Sequence, residues 1–240
     1  MNFGIILASG KGQRFSKSTQ KQFYKINNKK ILYYSIDKFL QLKNIDIILL
    51  ILNKQIINSD NFKDILKIYK KELQQEKVYI VFGGKERYDS VYNALSFIND
   101  FFTIKKNDNV IIHDAARPNV NINDIKKLIY YLNKYDAVSL SYKLNDSIKE
   151  KKIINDGICE VIKSYDRDKF SMISTPQGFN FNLILNCYNK FINNKKEHKI
   201  TDDLQIVELF SKTKSYLIDS DSRNIKITTK NDLQMLKNVL

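Results

Sequence analysis

The residues with the most chemical content sit in the first turn of the chain. An apolar run, Phe3-Gly4-Ile5-Ile6-Leu7, enters Ala8-Ser9-Gly10-Lys11-Gly12-Gln13-Arg14-Phe15, and Lys21 follows seven residues after Arg14. Small residues let backbone N–H groups come close to an anion, and two cations supply charge where phosphate oxygens must be neutralised. The loop Gly10-Lys11-Gly12 would cradle a triphosphate, with Arg14 and Lys21 on its oxygens. Its spacing matches neither the dinucleotide fingerprint nor the P-loop. The plain alternative is an ordinary strand-to-helix connection, with Lys21 a surface lysine. The chain has 40 Lys and Arg, yet the arginines are only Arg14, Arg87, Arg117, Arg167 and Arg223. Where lysine is the default cation, a guanidinium marks a place that needs a planar, two-pronged donor.

Two more segments carry chemistry. In Gly83-Gly84-Lys85-Glu86-Arg87-Tyr88-Asp89-Ser90, the glycines permit close approach of a flat base, and Asp89 and Ser90 can read its polar groups. Ser90 can equally cap the helix that follows, and Arg87 can be structural. In His113-Asp114-Ala115-Ala116-Arg117-Pro118, a charged Asp ends an apolar strand and needs a partner. Asp114 can hold a ribose or substrate hydroxyl, or a metal, and Arg117 a phosphate; an Asp–Arg ion pair is the structural alternative. His113 reads as a packing or hydrogen-bonding residue. A dispersed set, Ser147, Arg167, Ser174-Thr175-Pro176-Gln177, Thr201-Asp202-Asp203 and Asn224-Ile225-Lys226, has little function by chemistry alone. Thr201-Asp202-Asp203 by itself reads as a helix cap with an acidic first turn.

These residues need a frame. Strand-like runs at 3–7, 45–52, 78–82, 110–113 and 137–140 alternate with helical stretches at 31–40, 61–76, from 90, and 122–135. That rhythm predicts an α/β fold with a doubly wound, mostly parallel sheet. In such sheets ligands bind beyond the carboxyl ends of strands, where all three motifs fall. Short β-like pieces at 143–171 predict an antiparallel excursion or arm. Helices are expected again at 181–193, 201–210 and 231–239, with strand-like runs at 214–218 and 225–228. The 240 residues read as one domain, 1–240, with the arm as an appendage.

Composition narrows the class. No apolar run approaches the roughly 20 residues of a membrane span, and no basic leader precedes the first strand. Cys159 and Cys187 are too few for a disulfide framework, so a reduced, cytoplasmic setting is expected. The net charge of +14 invites a basic nucleotide- or nucleic-acid-binding protein as the non-enzyme alternative. The lysines are dispersed in pairs and no aromatic RNA-binding signature accompanies them, so no nucleic-acid partner and no membrane are expected.

Together, ASGKGQRF with KQF, GGKERYDSVYNAL, HDAARP, STPQ, TDD and NIKIT resemble the 2-C-methyl-D-erythritol 4-phosphate cytidylyltransferase family. The related ribitol-5-phosphate cytidylyltransferases share the first loop, the TPQ and the NIKIT-like end. The resemblance implies a Rossmann-like nucleotidyltransferase that moves CMP from CTP to 2-C-methyl-D-erythritol 4-phosphate in isoprenoid precursor synthesis and releases pyrophosphate; the alternative acceptor is another polyol phosphate such as ribitol 5-phosphate. Mg²⁺ is then expected on the CTP phosphates, with few or no protein ligands. It implies that Arg14 and Lys21 stabilise the reacting phosphorus, and that Ala8, Ser9, Gly83, Asp89 and Ser90 surround cytosine, with Ala115 at the ribose. Asp114, Arg117, Ser147, Arg167, Thr175, Thr201 and Lys226 would position the sugar phosphate, Lys226 also serving the CTP phosphates. The arm carrying Ser147 and Arg167 would embrace a second subunit of a homodimer. Ser9 stands where Ala is common, Gln20 where Pro is usual, and Ser147 where Thr is usual.

Overall fold

The structure is a computed structural model that describes residues 1–10, 12, 15, 20–195 and 199–237. Its strands are β1 (Asn2–Ala8), β2 (Lys25–Ile26), β3 (Lys29–Lys30), β4 (Ile47–Leu52), β5 (Val78–Phe82), β6 (Asn109–Asp114), β7 (Ala137–Lys143), β8 (Ile148–Asn155), β9 (Ile158–Tyr165), β10 (Ser171–Asn180) and β11 (Tyr216–Asp219). Its helices are α1 (Ile31–Leu40), α2 (Asp60–Ile68), α3 (Lys70–Gln74), α4 (Arg87–Phe101), α5 (Ile122–Leu132), α6 (Phe181–Asn193), α7 (Asp203–Phe210) and α8 (Lys230–Lys237).

Seven strands form one sheet in the order β11-β7-β10-β6-β1-β4-β5. All neighbours are parallel except β10, which runs antiparallel to both β6 and β7. This is the α/β, doubly wound, mostly parallel sheet expected. Apolar residues on both pleat faces explain it: Ile48, Leu50 and Leu52 of β4 enter one core with α1 and α5, while Leu49 and Ile51 enter the other with α4 and α6. A strand buried on both sides belongs in the middle of a three-layer stack. From β1 the chain winds outward to β4 and β5, then returns to place β6 on β1's other side. The switch point lies between β1 and β6, where the connections leave in opposite directions along the sheet.

Three local expectations are corrected. The helix expected at 61–76 is two, because Tyr69 leaves helical geometry (φ −102°, ψ 26°). Its buried ring packs edge-on to Tyr33, and its hydroxyl donates to Asp37 at 2.9 Å. The strand expected at 225–228 is irregular chain. Its carbonyls go to side chains instead of a ladder: Lys21 Nζ donates to the Ile227 carbonyl at 2.8 Å, and Arg117 takes the carbonyl of the adjacent Asn224 at 2.8 Å. Strand β10 was not expected. Pro176 and Gly178 disguise it, and its pairing with β7 skips from Ile173 to Gln177, so Pro176 lies where no ladder N–H is needed.

The excursion at 143–171 contains a two-stranded hairpin, β8–β9, outside the main sheet. Nearly every residue of it is exposed.

Candidate active site

A cleft of about 640 Å³ opens at the switch point. The β1 turn supplies Ala8, Ser9, Gly10 and Gly12, and the end of β6 supplies Asp114 and Ala115. Gly84 and Ser90 face it from the start of α4, and Lys21 and Lys226 bring cations. Lys11 and Arg14 lie outside the described residues. A second cleft of about 260 Å³ adjoins it, walled by Arg117, Thr175 and Thr201 among others. Arg87, Asp114 and Lys226 line both clefts.

The first loop is shaped by Gly12, whose φ of +63° is a conformation that side chains strain. Buried Gln22 braces the loop from beneath: its amide donates to the Ala8 carbonyl at 2.7 Å and the Gly10 carbonyl at 3.3 Å. A Cβ added at Gly10 would meet nothing within 4 Å, so the backbone there is open to a ligand.

At the far wall, Ser90 Oγ donates to the Glu86 carbonyl at 3.1 Å and accepts from Gly84 N–H at 3.1 Å. Its one hydrogen is thereby committed, so Ser9 is the donor across their 2.9 Å contact. The glycine pair also meets a local packing need. A Cβ on Gly83 would lie 2.6 Å from Ser9 Cβ and Ser90 Oγ, and one on Gly84 would lie 2.3 Å from Asp89 Cβ. The structure does not bring Asp89 to the cleft. Its carboxylate accepts from Glu86 N–H at 3.1 Å, as a helix cap, and pairs with Lys195.

Charge is concentrated between the clefts. The carboxylate of Asp114 receives Lys226 Nζ at 2.6 Å and Arg87 Nε at 3.3 Å. Arg87 turns its other two nitrogens to Asp203, at 2.8 and 2.7 Å, and Tyr188 adds a 2.6 Å hydrogen bond to that carboxylate. Burial opposes the charged form of Asp114, but Arg87 and Lys226 outweigh it and hold the carboxyl well below the usual carboxylate range. Arg117 does not pair with Asp114 as the structural alternative had it; it donates to the Asn224 carbonyl.

The remaining expected residues divide. Thr175 and Thr201 line the second cleft, and Thr201 also donates to Gln205 Oε1. Ser147 and Arg167 line neither; Ser147 is exposed, and Arg167 donates to the carbonyl of Asn145 at the base of the arm. Sequence reasoning assigned no role to Gln22 or Gln177, and gave Asp203 only a place in the acidic first turn of a helix. Gln177 Oε1 receives the first N–H groups of α7, from Asp203 and Leu204, at 3.0 and 3.2 Å. The signal for Gln177 was a polar residue inside a strand, hidden because the strand was hidden. The signal for Asp203 was a second acid after Asp202, which already suffices as the cap.

A mostly parallel α/β sheet with a small-residue loop and cations at its switch point fits an enzyme of the nucleotidyltransferase class. Residues 3–240 match the model of the family 2-C-methyl-D-erythritol 4-phosphate cytidylyltransferase. The chain is 38% identical over 239 residues to a Clostridium botulinum protein of that name, spanning 100% of this chain and 97% of that protein. A Clostridium perfringens protein of that name is 38% identical over 233 residues, spanning 95% of this chain and 94% of that one. The crystal structure of 4-diphosphocytidyl-2C-methyl-D-erythritol synthase from Anaerococcus prevotii superposes with a TM-score of 0.79 at 28% identity, over 99% of this chain and 95% of that one. The chain belongs to the 2-C-methyl-D-erythritol 4-phosphate cytidylyltransferase family.

Proposed function

We infer that this chain transfers CMP from CTP to 2-C-methyl-D-erythritol 4-phosphate, releasing pyrophosphate, a step of isoprenoid precursor synthesis. The observation that carries the reading is the pair of adjoining clefts joined by Asp114, Arg87 and Lys226. Two phosphorylated substrates that react with each other need two adjoining anion sites sharing cations, and this arrangement supplies them. The larger cleft takes CTP and the smaller takes the polyol phosphate.

An oxygen of the acceptor's phosphate attacks the α-phosphorus of CTP. The new P–O bond forms as the bond from that phosphorus to the bridging oxygen of the β-phosphate breaks, and pyrophosphate leaves with the electron pair. Positioning and charge neutralisation dominate such chemistry. Lys21 and Arg14 take the role of neutralising the reacting phosphates, and Lys226, on Asp114, serves both substrates. An Mg²⁺ would be held by triphosphate oxygens and would offset their charge. Both oxygens of Asp114 already engage cations, which suits a metal carried by the nucleotide rather than by the protein.

The chain acts as a homodimer in this reading. Ile153, Cys159 and Val161 share one face of the exposed hairpin by their pairing register, and Ile153 is 73% exposed. An isolated two-stranded hairpin is marginal in water, so covering by a second copy fits it. Arg167 and Ser147 at its base would then reach the partner's acceptor cleft. A cytosolic setting suits the free cysteines Cys159 and Cys187. Among the described residues, no helix is long and apolar enough to cross a membrane.

The test is pyrophosphate release with each nucleoside triphosphate against methylerythritol phosphate and ribitol phosphate. CTP with methylerythritol phosphate should be the fastest pair. Comparable rates with ATP or GTP would contradict the nucleotide assignment, and a preference for ribitol phosphate would move the acceptor assignment.

A further inference from the structure

His113 is fully buried and touches neither cleft. Its ring stacks on Phe39 at a centroid distance of 5.5 Å and an interplanar angle of 30°. Each ring nitrogen has one partner. Nε2 lies 3.2 Å from the Arg117 carbonyl, and Nδ1 lies 3.1 Å from Thr175 Oγ1. Thr175 Oγ1 in turn lies 3.1 Å from the backbone nitrogen of Asp114. The chemistry of these atoms fixes every direction. A carbonyl oxygen only accepts, so Nε2 carries the proton. In a neutral ring Nδ1 then accepts, so the Thr175 hydroxyl donates to it. The hydroxyl's lone pair is left to receive the Asp114 N–H.

The result is one directed chain: Asp114 N–H to Thr175 O–H to His113 Nδ1, and Nε2–H to the Arg117 carbonyl. It ties the end of β6, the turn after it and the unexpected strand β10. Its three outer members, Asp114, Arg117 and Thr175, all wall the smaller cleft. We propose that His113 is a positioning residue for the acceptor phosphate, acting as a neutral, single-tautomer clamp that sets Thr175 and Arg117 against Asp114. This rests on the smaller cleft being the acceptor site.

The surroundings keep the ring neutral. Burial pushes its pKa down to about 3; the Arg117 guanidinium on its own turn and Lys38 on α1 act in the same direction, and Asp114 acts against them. Lys38 also donates to the Pro118 carbonyl at 2.8 Å, which holds the same turn from behind.

Two variants separate the two ends of the clamp. In His113→Gln the amide can reach the Arg117 carbonyl but not Thr175; in His113→Asn it can reach Thr175 but not Arg117. Losing one buried hydrogen bond should raise the acceptor KM about tenfold in each, while the CTP KM stays within about threefold. KM values for both substrates rising together, or an unchanged acceptor KM, would overturn the proposal. If either variant folds poorly, nitrogen NMR of the imidazole decides instead, in a His198→Gln background that leaves one histidine. The expected spectrum has one protonated and one bare nitrogen, unchanged between about pH 5 and 8. An imidazolium signal growing in over that range would overturn the proposal. The NMR outcome does not depend on which polyol phosphate is used; failure of the wild type to turn over either acceptor would strike the functional reading instead.

Discussion

The sheet end that holds the clefts and the hairpin at 148–165 are built on opposite terms. At the clefts, charged groups are buried and each is held by others: Asp203 and Asp114 are 0% and 7% exposed, and Arg87 reaches both. The hairpin is almost wholly in water, and its polar contacts, such as Tyr165 to Glu150, join one of its strands to the other. The first region is specified within one chain. The second is flanked by Ser147 and Arg167, and neither lines a cleft. In the proposed function, the single chain binds the nucleotide and a second copy completes the acceptor site.

If the cleft region owes its rigidity to paired buried charge, breaking one pair should have the largest effect. Asp203→Asn places an amide donor against the Arg87 guanidinium and leaves that cation without its bidentate partner. Loss of one member of a buried ion pair costs roughly 3–5 kcal/mol, and Arg87's partial exposure places this case at or below the lower end. Denaturant unfolding measures it, and a loss under about 1 kcal/mol would show the pair to be incidental.

Next is Lys21→Ala, which removes a cation from the larger cleft and a hydrogen bond to Ile227. The rate constant kcat should fall about 10²–10³-fold with the far-ultraviolet dichroism unchanged. Retention of more than a tenth of kcat would remove Lys21 from the reacting phosphates.

A smaller effect comes from pH. The folded pKa of His113, about 3, lies below the ordinary value of 6.5, so the unfolded chain binds the proton more readily. Stability from this group is complete above about pH 6.5 and declines as pH falls toward 3, with a slope of at most about 1.4 kcal/mol per pH unit. Unfolding free energies at pH 7 and 5 in the His198→Gln background should show the decline, and His113→Gln should flatten it. Asp114, held low by its cations, keeps its contribution until more acidic pH.

The hairpin should give the smallest effect on the fold. Val161→Ser, on its exposed apolar face, should shift the unfolding free energy by no more than about 0.5 kcal/mol. It should still raise the dimer dissociation constant in sedimentation experiments. A large loss of monomer stability would mean that the hairpin packs on its own chain.

The same contrast governs what was legible in the sequence. Strands β1, β4 and β6 announce themselves because burial on both faces demands continuous apolar runs. The clefts' positions follow, since ligands sit at carboxyl ends, and Ala8, Gly84, Asp114 and Lys226 all arrive there. Strand β10 stayed hidden because its middle is Ser-Thr-Pro-Gln, whose polar groups face the smaller cleft at Thr175 and cap α7 at Gln177 instead of forming an apolar run. Asp89 was ambiguous because one carboxylate can cap a helix or read a base, and the structure places it in the cap. The pairing of Arg87 with Asp203 spans 116 positions, beyond any local pattern.

The central claim is that one chain supplies the nucleotide cleft and a second supplies the arm. Mixing Arg167→Ala subunits with Lys21→Ala subunits tests it, each variant first assayed alone. In a randomly mixed dimer population, half the dimers are mixed and one of their two sites has both native residues, so activity should recover to roughly a quarter of wild type. Activity that stays at the average of the two variants, with mixed dimers demonstrably formed, would contradict the account.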